Sequence, residues 1–303
     1  TVSSAMVASA SATLVATGGT GLCAPHIDAE GTLWALSAQT GEILRLTQQP
    51  DGSLALTAAL HAGAAPSALA VNAHATYLCD VAHKAVLLVG ADGTASEFVR
   101  EYEQRPFVGP TALAFDGAHN LFVADGGADG DTGLHSRKGS VFVISAEGQL
   151  LLPVAHESLA RPSALAVYPP PPLADGAAAE PAAAAILYVA EQAANRIIRF
   201  VKRPVDVFVG TVFRQFAGGA GPSSLACDTD GSVYVGHFEY ASVASALGGG
   251  STVSGRVTKL SVQGEIVAEY TIPGGSEVSG LALKGRTLYV TEASSNAVYA
   301  IEL

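Results

Sequence analysis

The chain has 303 residues, 49% of them hydrophobic and only 14% charged, ample apolar material for a large buried core. It contains no run of about twenty uninterrupted apolar residues, so a membrane-spanning helix is not expected. The net charge of -11 argues against nucleic acid or an anionic membrane surface as a partner, since either would call for a basic face.

Residues 1–20 carry no charged side chain and lack the basic start and long apolar stretch of a secretory signal. Beyond them one cassette recurs: a proline, two small residues, Leu-Ala-hydrophobic, a short turn, then an aromatic-Val strand. A loose first copy runs Pro25-His-Ile-Asp28 to Leu33-Trp-Ala-Leu36. The second is Pro66-Ser-Ala-Leu-Ala-Val71 with Thr76-Tyr-Leu-Cys-Asp80, followed by Ala85-Val-Leu-Leu-Val89 and the turn Ala91-Asp-Gly93. The third is Pro110-Thr-Ala-Leu-Ala-Phe115 with Leu121-Phe-Val-Ala-Asp125. A polar, Gly-rich loop at 125–138 interrupts it before Gly139-Ser-Val-Phe-Val-Ile144 and the turn Ala146-Glu-Gly148.

The fourth copy, Pro162-Ser-Ala-Leu-Ala-Val167 with Leu187-Tyr-Val-Ala-Glu191, is split by a Pro/Ala loop at 168–185. The fifth pairs Pro222-Ser-Ser-Leu-Ala-Cys227 with Val233-Tyr-Val-Gly-His237, and a Gly/Ser loop at 237–254 precedes its second hairpin. The sixth runs Val278-Ser-Gly-Leu-Ala-Leu283 to Leu288-Tyr-Val-Thr-Glu292 and ends at Leu303, with fewer strands than the rest. Short strands joined by Asp-Gly and Glu-Gly turns predict antiparallel hairpins, and six such units predict an all-β, six-bladed propeller of four-stranded blades. The expected units are about 20–62, 63–105, 106–158, 159–218, 219–273 and 274–303 plus 1–19, with residues 6–17 supplying the strand that closes the ring. Cys23, Cys79 and Cys227 fall on separate units and are expected as free thiols, which fits a reducing intracellular compartment.

The stretch Leu187-Tyr-Val-Ala-Glu-Gln-Ala-Ala-Asn-Arg-Ile197 resembles the Tyr-Val-Ala-(Asp/Glu)-x-x-x-Asn-Arg-Ile pattern of NHL-repeat propellers and of the gluconolactonase/regucalcin family. The order of blades is closer to the latter, and strictosidine-synthase-like proteins share much of the pattern. The resemblance covers nearly the whole chain. It implies a divalent cation, usually calcium, held at the central channel by a Glu of the first blade, an Asn of the fourth and an Asp of the fifth. Cys23, Ser163 and Ser223 stand at those positions here, with Ser67 and Thr111 at the equivalent places of the second and third blades. A neutral hydroxyl is a poor substitute for a carboxylate on calcium, so a family-type metal site, or any cofactor, is not expected.

Other residues carry candidate chemistry. Asp125, Asp129 and Asp131 are either calcium ligands in a Gly-rich loop or a solvated face. His26 with Glu277 reads as an acid/base pair or as a histidine hydrogen-bonded at a blade edge; His237 stands beside an insertion, where ligands are often met. Glu191 and Glu292 end equivalent strands and are expected to accept backbone hydrogen bonds in the following turn. The leading expectation is a non-catalytic propeller that meets other proteins through the rim loops 125–138, 168–185 and 237–254. The alternatives are a metal-dependent lactonase or esterase with a rearranged site, and a metal-free small-ligand-binding protein.

Overall fold

A computed structural model describes residues 8–72, 75–128, 130–169, 185–204, 207–240 and 254–303. Two N-terminal strands, β1 (Ala8–Ser11) and β2 (Thr13–Thr17), precede the first blade of β3 (Leu22–Ile27), β4 (Leu33–Ser37), β5 (Glu42–Gln48) and β6 (Leu54–His61). The second holds β7 (Pro66–Val71), β8 (Thr76–Asp80), β9 (Ala85–Val89) and β10 (Ala95–Val99). A small hairpin, β11 (Glu101–Tyr102) with β12 (Arg105–Pro106), leads to β13 (Pro110–Phe115), β14 (Leu121–Asp125), β15 (Gly139–Ile144) and β16 (Leu151–Leu159) of the third. The fourth is β17 (Pro162–Tyr168), β18 (Ile186–Glu191), β19 (Arg196–Arg203) and β20 (Val207–Gln215). The fifth is β21 (Pro222–Cys227), β22 (Val233–His237), β23 (Gly255–Leu260) and β24 (Ile266–Ile272); the sixth is β25 (Val278–Lys284), β26 (Thr287–Glu292) and β27 (Ala297–Glu302).

Neighbouring strands within each blade are antiparallel, and the inner strands β3, β7, β13, β17, β21 and β25 touch in a closed circle. The molecule is therefore the six-bladed propeller that the repeats predict. Closure by the N-terminus is also found, since β2 lies antiparallel to β27 as the outer strand of the sixth blade. Its extent differs from the expectation. Only 13–17 join that blade, whereas β1 crosses to the fifth and runs parallel to β24, from Ala8↔Ala268 to Ser11↔Thr271. The crossing point is buried: Ala12 donates its N–H to the Thr271 carbonyl at 3.0 Å and packs between blades five and six. The N-terminus thus ties two blades together and covers an outer edge as well. Of the three rim loops, 168–185 and 237–254 lie mostly outside the described residues. The loop 125–138, apart from 129, is compact, held by the Gly133↔Ser136 bridge and by Thr132 Oγ1 donating to the Gly126 carbonyl at 2.7 Å.

The cassette has a packing explanation. A propeller blade is covered on both faces, so its middle strands read as nearly continuous apolar runs, as in the fully buried Leu121–Asp125 and Val233–His237. On the inner strands the faces are unequal. Leu69, Leu165 and Leu225 join the clusters shared with the preceding blade, while Ala68, Ala70, Ala164, Ala166 and Ala226 join those shared with the following one. One face needs bulk and the other needs its absence, which is why Ala-Leu-Ala repeats. Truncating the large member and enlarging the small one should therefore both destabilise. Leu165→Ala is expected to cost about 3 kcal/mol through its cavity, and Ala166→Leu about 1–3 kcal/mol through overpacking; urea denaturation midpoints measure both.

Candidate functional site

Strand register aligns the six inner strands residue by residue. Pro66, Pro110, Pro162, Pro222 and Val278 face Asp80, Asp125, Glu191, His237 and Glu292. In the first blade Leu22 faces Ser37. Just after each of the five later anchors the register slips by one residue, so Ser67, Thr111, Ser163, Ser223 and Ser279 are bulge residues with no partner across the ladder. Bulges re-aim side chains, and here they aim hydroxyls at the next blade. Ser67 Oγ donates to the Pro110 carbonyl at 2.8 Å, Thr111 Oγ1 to Pro162 at 2.6 Å and Ser163 Oγ to Pro222 at 3.0 Å. Ser223 Oγ continues to Val278 at 2.6 Å, and Ser279 Oγ closes on Leu22 at 2.6 Å.

The sixth link is missing. Cys23 occupies the first-blade position, and among the described residues no hydrogen bond joins its thiol to the Pro66 carbonyl. Burial pushes that thiol up to about 12, so it stays protonated and is a weak donor. The first blade differs in register too, with its slip between Cys23 and His26. The loose first copy was therefore misaligned by its proline: Leu22, not Pro25, matches Pro66. Pro25 instead packs against Gly280, where a Cβ would lie 2.0 Å from its Cδ, which explains the glycine in the sixth copy.

The residues facing the anchors form a second column. Asp80 Oδ2 accepts the N–H groups of Ala64 and Ala65 at 2.5 and 3.2 Å, and Asp125 accepts those of Gly109 and Val108 at 2.7 and 2.9 Å. Glu191 takes Ala160 N–H at 2.8 Å and Arg196 Nε at 2.5 Å; Glu292 takes Glu277 N–H at 2.8 Å and Ser294 Oγ at 2.6 Å. Each carboxylate thus clasps the backbone that leads into its own inner strand. Burial opposes the charge on Asp80, but hydrogen bonds from His83, Ala64 and Ala65 outweigh it and hold the carboxyl below its usual range. At Asp125 burial wins over the Gly109 and Val108 hydrogen bonds and over Lys84 and His156, and the pKa is raised.

The other candidates do not assemble. His26 Nε2 lies 2.9 Å from the Val71 carbonyl and 3.1 Å from its N–H, at the far end of its strand. Glu277 precedes the opposite end of the neighbouring inner strand, where Phe238 bridges it and Ala293 donates to its carbonyl at 3.0 Å. Asp131 Oδ2 accepts Ala128 N–H at 2.9 Å, and Asp129 lies outside the described residues. His237 replaces the carboxylate of the second column. It is only 3% exposed, bonded to Thr258 Oγ1 at 3.0 Å and set edge-on to Phe216. Burial, helped by the positive charge of Arg256, pushes it down to about 3, so it is neutral at physiological pH. Among the described residues no three His, Cys, Asp or Glu come together as a metal site. The channel positions offer a thiol and hydroxyls already committed to carbonyls, a donor set that does not fit a hard divalent cation. Ser279 and the clasping Asp80 were missed in the sequence, although both stand in the aligned columns of the repeat.

The chain matches no protein-family model and no curated protein sequence. Solved structures are similar in fold. A gluconolactonase from Xanthomonas campestris is 18% identical over 96% of this chain and 88% of its own, with a TM-score of 0.71. A luciferin-regenerating enzyme is 16% identical over 95% and 92%, with a TM-score of 0.69. A chain of a nidogen/laminin complex is 17% identical over 88% of each, with a TM-score of 0.58. The architecture is thus shared with gluconolactonase-like propellers.

Cys23, unlike the bulge hydroxyls, pairs in register with Leu36 and packs against the apolar cluster shared by the first two blades. Cys23→Ser therefore buries a hydroxyl with no aligned acceptor and is expected to lower stability by about 1 kcal/mol in urea denaturation. His237 takes a proton near 6.5 when unfolded but only near 3 when folded, so the unfolded state binds more protons between these values. Its contribution is complete above pH 6.5 and is lost as pH falls toward 3, by up to about 1.4 kcal/mol per pH unit. The stability difference between wild type and His237→Gln should shrink across that window when the two are unfolded in urea at successive pH values.

Proposed function

We propose that this chain is a binding propeller that performs no metal-dependent hydrolysis at its axis. The observation that supports this is the run of hydroxyl-to-carbonyl bonds from Ser67 to Leu22, which occupies the channel positions with neutral groups spent on joining blades. Calcium needs several oxygens with charge among them, and the hydroxyls of this run bring none. The partner is another protein, met at the rim. The loop 125–138 presents Leu134 at 52% exposure beside exposed Arg137 and Lys138, an apolar anchor next to cations. The solved nidogen/laminin complex shows a similar fold in a protein assembly. No membrane role is included, and no helix among the described residues is long and apolar enough to cross a bilayer.

A second reading, a lactonase with a rearranged site, is favoured by the likeness to a gluconolactonase. Its candidates are constrained, because both oxygens of Asp125 are held by backbone amides and His237 is enclosed. An assay of aldonolactone and aryl-ester hydrolysis, with and without calcium or zinc, separates the readings. The expected result is a rate equal to buffer alone and no calcium-dependent rise in melting temperature. Saturable, calcium-dependent turnover would overturn the binding reading in favour of the enzyme.

A further inference from the structure

Each blade ends in an outer strand whose far edge offers backbone N–H and C=O groups for pairing, and proteins normally protect such edges. Most are protected here. β2 is short and slips in register, β10 carries Glu97 and a register slip, and β16 contains Pro153. β24 is covered by β1, whereas β6, Leu-Ala-Leu-Thr-Ala-Ala-Leu-His, has no proline, no acid and, among the described residues, no strand on its outer edge. The longer of the two bare edges is β20, whose register slips only at Phe213. It runs for nine residues, Val-Phe-Val-Gly-Thr-Val-Phe-Arg-Gln, with no proline and no acid, and among the described residues no strand pairs with its outer edge. Val207, Val209 and Val212 are 52%, 45% and 54% exposed.

The surroundings of β20 specify charge. Residues 196–214 hold five of the sixteen Lys and Arg of the chain and one of its twenty-seven acids, on a molecule of net charge -11. Two of the five are tied to acids of this chain, Arg196 to Glu191 and Arg214 to Glu265. Arg199 stacks over Phe213, and Arg203 is exposed at the end of the hairpin. The fold also supplies a precedent for the geometry, because β24 already accepts an added strand on its outer edge.

We infer that β20 is a docking edge for an extended, carboxylate-bearing segment of a partner protein, which adds to the fourth blade as a fifth strand. Main-chain hydrogen bonds to the edge supply the alignment, Val207 and Val209 supply apolar contact on one face and Val212 on the other, and the basic hairpin selects acidic over basic partners. This rests on the reading of the molecule as a binding propeller and names the surface it uses.

The probe is a capped, fluorescein-labelled peptide that alternates valine with glutamate, compared with one that alternates valine with lysine. The expected result is saturable binding of the acidic peptide, about tenfold weaker for the basic peptide and for Arg203→Glu. Amide hydrogen exchange should slow within 207–215 of the wild type when the acidic peptide is bound, and Val209→Lys, which places a charge on the edge, should abolish both effects. Exchange in 207–215 that is unchanged at saturating peptide overturns the assignment. So does protection confined to another rim segment, although the binding reading would then stand. Protection that appears without peptide, rises with protein concentration and accompanies a dimer in sedimentation assigns the edge to a second copy and overturns the peptide partner. The lactone assay is independent of all these outcomes.

Discussion

The structure depends on how six inner strands share one axis. Each has a partner strand on its outer side only, so its other edge and its bulge would leave carbonyl groups at the axis without a strand to answer them. A bulge residue with a hydroxyl resolves this locally. It points across to the neighbouring blade and donates to the carbonyl of that blade's anchor residue, so one side chain satisfies a backbone group and fastens two blades. The proline at four of the anchors fits the same scheme, since it brings a carbonyl and no N–H that would need a partner.

Around this inner ring the carboxylate column does the complementary task. The chain must turn sharply from the outer strand of one blade to the inner strand of the next, which leaves backbone N–H groups inside the molecule. Asp80, Asp125, Glu191 and Glu292 accept them, and Ser37 does so for Thr20 at 2.8 Å. The fifth blade departs from the scheme. There His237 turns to Thr258 and Phe216, while the loop into β21 passes Gly219 and Gly221, both with φ in the left-handed region. The histidine is kept neutral by the same enclosure that would make an unpaired carboxylate expensive at this point.

Much of this is legible in the sequence. Repetition of Leu-Ala-hydrophobic and Tyr-Val is enough to reach six blades, because a packing solution that recurs must reuse the same residue sizes. Glu292 accepts the Ser295 N–H of the turn that follows it, as its place at a strand end suggests, whereas Glu191 reaches back to Ala160 instead. What could not be read was direction. A sequence shows that Ser67 follows Pro66, but a bulge decides whether its hydroxyl meets a metal, solvent or the next blade, and bulges have no local signature here. The first blade misled for the same reason. Pro25 looks like an anchor by type, yet the hydrogen bond from Ser279 shows that Leu22 holds that place. The pairing of β1 with the fifth blade was equally hidden, since a four-residue strand of Ala and Ser carries no record of which edge it meets.

The inner ring also bears on how a propeller of this kind loses or gains chemistry. A hydroxyl that donates to a carbonyl retains acceptor lone pairs, so the bond alone does not forbid a cation. On the reading of the molecule as a binding propeller, what disfavours it is the sum: the thiol and the hydroxyls are neutral, the bonds hold each hydroxyl toward a neighbouring blade, and desolvating a divalent ion demands charge in return. Replacing one serine by a carboxylate would not recover a site, because it would remove a link between blades and add an unpaired charge at the axis in the same step. Several replacements would have to arrive together, with a cation to bind them. On that reading the column that joins the blades disfavours metal chemistry at the axis, and the outer edges of the blades are the places where a new contact disturbs the ring least.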